Sequence, residues 1–195
     1  MIIKRIMSKE EKEKIESKKR KTIVIVMTII MVLSSLGYVF MSQNRERTGK
    51  TKMNYNGIDF NLREDGWHFQ IEGLDFVTIY SPKDTENISA AIFLNAWDYY
   101  GKPLYFSRDS PQEGIIEIEK NLNRIASRMQ YACLDENCSE FAVKNCSSDN
   151  IIVIKESEKN ETFISQEDNC IVINALPSEI VRASDKFLYK ILGLN

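Results

Sequence analysis

Three hydrophobic rhythms succeed one another along the chain. From Thr22 to Asn44 there is no charged residue, and the stretch TIVIVMTIIMVLSSLGYVFM, residues 22–41, has no polar face. At about 1.5 Å per helical residue those positions cover roughly 30 Å, the hydrocarbon thickness of a bilayer. The pattern therefore predicts a membrane-spanning helix over 22–44. Further on the period shortens to two: Ile58, Phe60 and Leu62, then Trp67, Phe69 and Ile71, then Leu74, Phe76 and Ile79. Glu64-Asp65-Gly66 and Glu72-Gly73 interrupt these runs, and Asn56-Gly57 precedes them, so the segment reads as a meander of strands with one buried face.

Residues 86–97 suit a strand or a short helix, with strand preferred, and two aromatic edges flank a turn at Gly101-Lys102-Pro103. A helical period follows. Ser110, Pro111 and Glu113 carry the signals of a capped helix start, and Ile115, Ile118, Leu122, Ile125 and Met129 recur on one face, predicting a helix that ends near Met129. Strands are predicted at 150–156, 161–165 and 170–175. A last helix runs from about Ser178, with Ile180, Ala183, Phe187, Leu188 and Ile191 on one side and Gly193 at its end. The fold class predicted is α+β: an N-terminal transmembrane helix followed by a mainly antiparallel β-sheet domain with two amphipathic helices.

Charge sets the direction of the span. The overall net charge is -2, yet residues 1–21 hold nine Lys or Arg against four acids, and residues 45–52 hold four against one. The heavier positive flank belongs on the cytoplasmic side. The expected organisation is a cytoplasmic basic segment over 1–21, a signal-anchor helix over 22–44, a juxtamembrane linker over 45–53 and an extracytoplasmic domain over 54–195. Small residues around Ser35-Leu36-Gly37 offer a rival, a cleaved signal peptide, which the long basic leader and the apolar continuation to Met41 disfavour. The leader SKEEKEKIESKKRK has helical i,i+4 charge pairs and reads as a solvated topology signal.

All four cysteines, Cys133, Cys138, Cys146 and Cys170, fall in the segment placed outside. Disulfides Cys133 to Cys138 and Cys146 to Cys170 are favoured among the three possible pairings. A zinc site is disfavoured because the spacing lacks two-residue knuckles, and no C-x-x-C pair supports redox catalysis. Sequons at Asn87, Asn137, Asn145 and Asn160 make N-glycosylation possible on that side.

Catalytic chemistry has little material. The single histidine, His68, points away from the core by strand alternation, and Glu64, Asp65, Asp109 and Glu113 occupy turn or cap positions. The chain has no phosphate-binding loop, dinucleotide fingerprint, nucleophile elbow or zinc-protease motif. No catalytic residue, metal ligand or cofactor is assigned. The acidic outer domain argues against nucleic-acid binding. The aromatics Trp97, Tyr99, Tyr100 and Tyr105, with Phe106 beside them, form the preferred binding patch if part of the set is exposed.

YNGIDF followed by DGWHFQI, DNIIVI, DNCIVI and the ending DKFLYKILGL, together with the basic leader and single span, resemble small uncharacterised membrane-anchored proteins of archaea. The resemblance implies a single-pass envelope protein and brings no catalytic residues. The expected function is binding of an envelope protein or a glycan, the alternative being a membrane-tethered, hydrolase-like enzyme.

Overall fold

The computed structural model describes residues 18–31, 51–135 and 138–194. The chain divides into two compact units, Met1–Gly49 and Lys50–Asn195. In the first, residues 18–31 form helix α1, about 21 Å long at 1.5 Å per residue. Its apolar side chains from Ile23 to Met31 are exposed. The Thr22 and Thr28 hydroxyls donate to the carbonyls of Lys18 and Val24, at 3.0 and 2.6 Å. No helix among the described residues is long and apolar enough to cross a membrane. Residues 32–44, the remainder of the expected span, lie outside the described residues, as do 1–17.

The second unit is α+β and opens with an antiparallel sheet of four strands in sequence order: β1 Lys52–Tyr55, β2 Ile58–Arg63, β3 Gly66–Ile71 and β4 Leu74–Thr78. Two-residue turns join them, since Tyr55 pairs with Ile58, Arg63 with Gly66 and Ile71 with Leu74. Asn56-Gly57 and Glu72-Gly73 take positive φ at both positions, the backbone that matches strand twist in a tight hairpin. Two expectations need correction. β1 begins at Lys52, inside the expected linker 45–53. In β4 the buried positions are Phe76 and Thr78 while Ile79 is exposed, because alternation from Leu74 carries Thr78 inward, where its hydroxyl meets that of Tyr189.

A second sheet has the order β5-β9-β10-β8-β6-β7, with β5 Ser89–Ala91, β6 Pro103–Ser107, β7 Arg128–Ala132, β8 Asn150–Glu156, β9 Phe163–Glu167 and β10 Cys170–Ala175. Here the expectation of a mainly antiparallel domain fails. Only β9 and β10 run antiparallel; every other neighbouring pair is parallel. The physical reason is covering on both faces. Leu104, Phe106, Ile152 and Ile154 join the large core, while Tyr105 and Ile151, pointing the other way, join a smaller cluster with Ala132 and Cys170. Strands buried on both sides read as continuous apolar runs and suit parallel pairing.

Helix α2 spans Gln112–Leu122 and α3 spans Ile180–Ile191. α2 stops short of Met129, because residues 128–132 are taken as strand β7 beside β6. Ser110 does not cap α2; its hydroxyl accepts from the Ile154 N–H at 2.9 Å. The chain leaves α3 through Gly193, φ 77°, with the Leu194 N–H reaching the Tyr189 carbonyl at 2.8 Å, a terminus that glycine makes cheap.

The helices hold the edge strand β4 through buried polar groups. The Asn121 amide pairs with both N–H and C=O of Val77 at 2.8 Å, Asp185 accepts from the Tyr80 N–H at 2.8 Å, and the Tyr189 hydroxyl donates to the Tyr80 carbonyl at 2.6 Å. An edge strand needs such partners where it is covered. Asp185 is fully buried, its Oδ1 has no donor to accept from, and Glu117, itself bridged to Lys120 at 2.8 Å, lies against it. Burial first, then the Glu117 charge, raises the Asp185 pKa well above the carboxylate range. The folded state thus holds a proton that the unfolded chain releases near pH 4, and stability falls as pH rises from there towards the folded pKa. Asp185→Asn, which keeps the acceptor for Tyr80 and supplies a donor for Glu117, is expected to raise stability at pH 8 by about 1–2 kcal/mol and to flatten that slope. Urea melts of both proteins at pH 5 and pH 8 check this; an unchanged slope would show that Asp185 does not carry the proton.

Candidate functional site

The aromatic patch expected from sequence separates into buried and exposed members. Tyr99 is fully buried with its hydroxyl unpartnered, and Tyr105 is buried in the smaller cluster. Neither reaches solvent as part of a patch. The reason is local: Ala96–Tyr99 forms a 3-10 turn that sends Tyr99 inward, and β6 lies between two covered faces. The Lys144 ammonium sits 4.6 Å from the Tyr105 ring centre, and Arg128 lies 3.3 Å from its hydroxyl, which lowers that phenol's pKa. Phe106 is buried as well.

Trp97 and Tyr100 remain exposed, with ring centres 6.2 Å apart and planes inclined at 59°. Sequence reading missed Phe93, four positions earlier, which is 91% exposed. The Gln166 carbonyl oxygen accepts from the N–H groups of both Phe93 and Leu94, at 2.8 and 3.1 Å, and its amide donates to the Asp168 carbonyl at 2.7 Å. Asn95 and Asp98 then close a reciprocal capping box around the following turn. The backbone that presents these three rings is therefore held by side chains at several points.

His68 lies on the outer face of the four-stranded sheet, as alternation predicts. Its Nε2 is 2.6 Å from Asp65 Oδ1, and this contact holds the Asp65 carboxyl below the usual range. Beside it is an open polar depression of about 640 Å³. Glu113 sits in the first turn of α2, and Asp109 pairs with Arg108 at 3.0 Å. No hydroxyl or thiol side chain accompanies His68 among the residues lining that depression. Among the described residues, no three His, Cys, Asp or Glu side chains are placed to hold a metal ion.

Cys133 pairs with Cys138 and Cys146 with Cys170, with Cα separations of 5.8 and 5.0 Å. The second bond ties the 138–149 segment against the face of the parallel sheet opposite the helices. Asn87, Asn145 and Asn160 are exposed; Asn137 lies outside the described residues. Asn87 and Asn160 flank one depression of about 700 Å³, where the Thr162 hydroxyl and Arg182 both engage Glu179. The Asn145 side-chain oxygen accepts from the N–H groups of Ser147 and Ser148 at 3.2 and 3.1 Å.

No protein-family model, curated protein or solved structure matches the chain.

Proposed function

We propose that the chain is a single-pass envelope protein of the kind its sequence resembles among archaea, with an extracytoplasmic domain that binds a glycan through Phe93, Trp97 and Tyr100. The uncharged run from Thr22 to Asn44 between basic flanks supports the anchor. Within that run, the threonine hydroxyls of α1 are satisfied by its own backbone, as lipid requires. Two disulfides in Lys50–Asn195 agree with an oxidising compartment, and exposed sequons are compatible with it.

The observation that carries the binding assignment is the 91% exposure of Phe93 on a loop fixed by Gln166. A large ring left in water costs solubility, and a backbone fixed in advance spares the ligand its ordering cost. Flat rings tilted to each other, with the polar groups of Asn95 and Asp98 between Phe93 and Tyr100, offer stacking faces to a sugar ring and hydrogen-bonding groups to its hydroxyls.

The test uses the full chain in detergent against immobilised envelope polysaccharides. Trp97→Ala with Tyr100→Ala is expected to lower retention about tenfold, a loss of about 1.4 kcal/mol, while leaving the melting temperature unchanged. Equal retention by the double variant would remove the aromatic edge from the reading. Capture of an envelope protein in place of polysaccharide would replace the glycan.

A further inference from the structure

The sequons are equivalent in sequence and unequal in the fold. Transfer of a glycan to Asn-x-Ser/Thr engages the asparagine amide and the hydroxyl two residues on together, so both must reach the surface free of other partners. Asn87-Ile88-Ser89 meets that condition. It follows the 3-10 turn Lys83–Thr85, and the Ile88 N–H donates to the Thr85 carbonyl at 3.1 Å. Ile88 is buried in the large core, and its neighbours Asn87 and Ser89 are both exposed. Ser89 opens β5, the outermost strand of the six-stranded sheet, which is paired with β9. Among the described residues, neither the Asn87 amide nor the Ser89 hydroxyl has a hydrogen-bond partner.

The other two described sequons are tied into the structure. In Asn160-Glu161-Thr162 the asparagine has φ 54°, and the Thr162 hydroxyl donates to Glu179 while accepting from the Leu176 N–H at 3.1 Å. In Asn145-Cys146-Ser147 the asparagine oxygen accepts from the N–H groups of Ser147 and Ser148 and from their hydroxyls, the latter at 2.7 and 3.0 Å. The middle residue, Cys146, is bonded to the buried Cys170. Each of these segments must give up two or more hydrogen bonds before an enzyme can take it.

Asn87 also has room for what it would carry. It lines the depression of about 700 Å³ together with Ser89, Asn160 and Glu161. The exposed amide of Asn160 and carboxylate of Glu161 offer hydrogen bonds to the first sugars of a chain attached at Asn87. A bulky glycan there would stand beside the edge strand β5 and hinder its pairing with another chain.

We infer that Asn87 is the N-glycan acceptor of the folded domain, in preference to Asn145 and Asn160. The donor is a lipid-phosphate-linked oligosaccharide. The Asn87 amide nitrogen bonds to the anomeric carbon as its bond to the phosphate oxygen breaks, the lipid phosphate leaves, and the amide proton passes to a base of the transferase. The inference rests on the outward placement of Lys50–Asn195 proposed above, where such a transferase works.

Two preparations of the full chain test it. One is purified in detergent from cells without N-glycosylation, then incubated with a lipid-linked donor and an oligosaccharyltransferase that modifies a free Asn-x-Thr peptide. The other is extracted from membranes of a cell that glycosylates its envelope. Peptide masses are read at Asn87, Asn145 and Asn160, and free thiols are counted without reduction. Asn87 is expected to carry sugar in both preparations, with occupancy in the purified reaction rising at least about tenfold faster than at the other two. Asn87→Gln and Ser89→Ala should each abolish that adduct and leave the melting temperature unchanged. Bare Asn87 in the purified reaction overturns the proposal. So does modification of Asn145 or Asn160 as fast as Asn87, or bare Asn87 in cells with both disulfides intact. Sugar on Asn87 in the purified reaction, with free thiols and no sugar in cells, supports the acceptor and overturns the outward placement instead.

Discussion

Removing the Cys146 to Cys170 bond by a double substitution to serine is expected to cost about 3 kcal/mol, the loop-closure value for a sequence separation of 24. For a domain of this size, that corresponds to a fall in Tm of about 10 °C. The structure says why this bond should matter more than its neighbour. Cys170 is fully buried at the start of β10, where it pairs with Ile151 of β8 and Glu167 of β9, and it belongs to the small cluster that covers the second face of the parallel sheet. Cys146 comes from the segment that supplies the cover. Without the bond, the unfolded chain gains the freedom of a long loop, and the sheet loses an anchor for that layer. Cys133 and Cys138 are separated by only five positions, so the same argument gives about 2 kcal/mol for them. Denaturant titration of the two serine double variants, without reductant, compares the bonds. A larger loss from the Cys133 to Cys138 pair would show that the covering layer owes its stability to something other than the long staple.

How the segment comes to be a covering layer could not be read from its sequence, and the difference between local and distant information explains where reading succeeded. The strands at 150–156 and 170–175 have the bounds expected, because each is an apolar β-branched run ended by polar residues. The meander was legible because its turns are written in Asn-Gly and Glu-Gly beside strict alternation. Parallel pairing has no such local mark. β6 and β7 are joined through α2, and only the buried run of Leu104 to Ser107 hinted at two covered faces. The same limit explains α2. Ile125 and Met129 continue the helical spacing, yet pairing with β6 outweighs propensity for residues 128–132. It also explains the aromatics: Trp97, Tyr99 and Tyr100 are adjacent in sequence, and a single 3-10 turn decides which ring is buried. The polar cleft was half legible. Alternation places Asp59, Asn61, Arg63, His68 and Gln70 outward, but the depression they line is a property of the assembled sheet. Glu117 and Asp185, buried without full compensation, left no sequence signal at all.

Gly66→Ala is expected to be the most damaging single methyl group in the meander. Gly66 has φ 135°, outside the range that side chains accept, and a Cβ there would lie 2.3 Å from the Thr78 carbonyl oxygen and 3.1 Å from its carbon. The obstacle is backbone, so no rotamer change relieves it. Either Gly66 or the end of β4 must move. Thr78 cannot move alone, because its hydroxyl meets Tyr189, and its neighbours Val77 and Tyr80 are held by Asn121, Asp185 and Tyr189. Backbone strain and overpacking together give a cost of about 3 kcal/mol or more. Gly73→Ala separates the two contributions. Gly73 also has positive φ, 80°, but nothing lies within 4 Å of its added Cβ. That variant should lose only the conformational part, about 1 kcal/mol. Denaturant melts of both variants measure the difference. If Gly66→Ala is no worse than Gly73→Ala, then the end of β4 yields without cost, and the clasp of α2 and α3 on that strand is weaker than its hydrogen bonds imply. If the gap appears, it reports the rigidity of the joint that seats the four-stranded sheet on the helical layer.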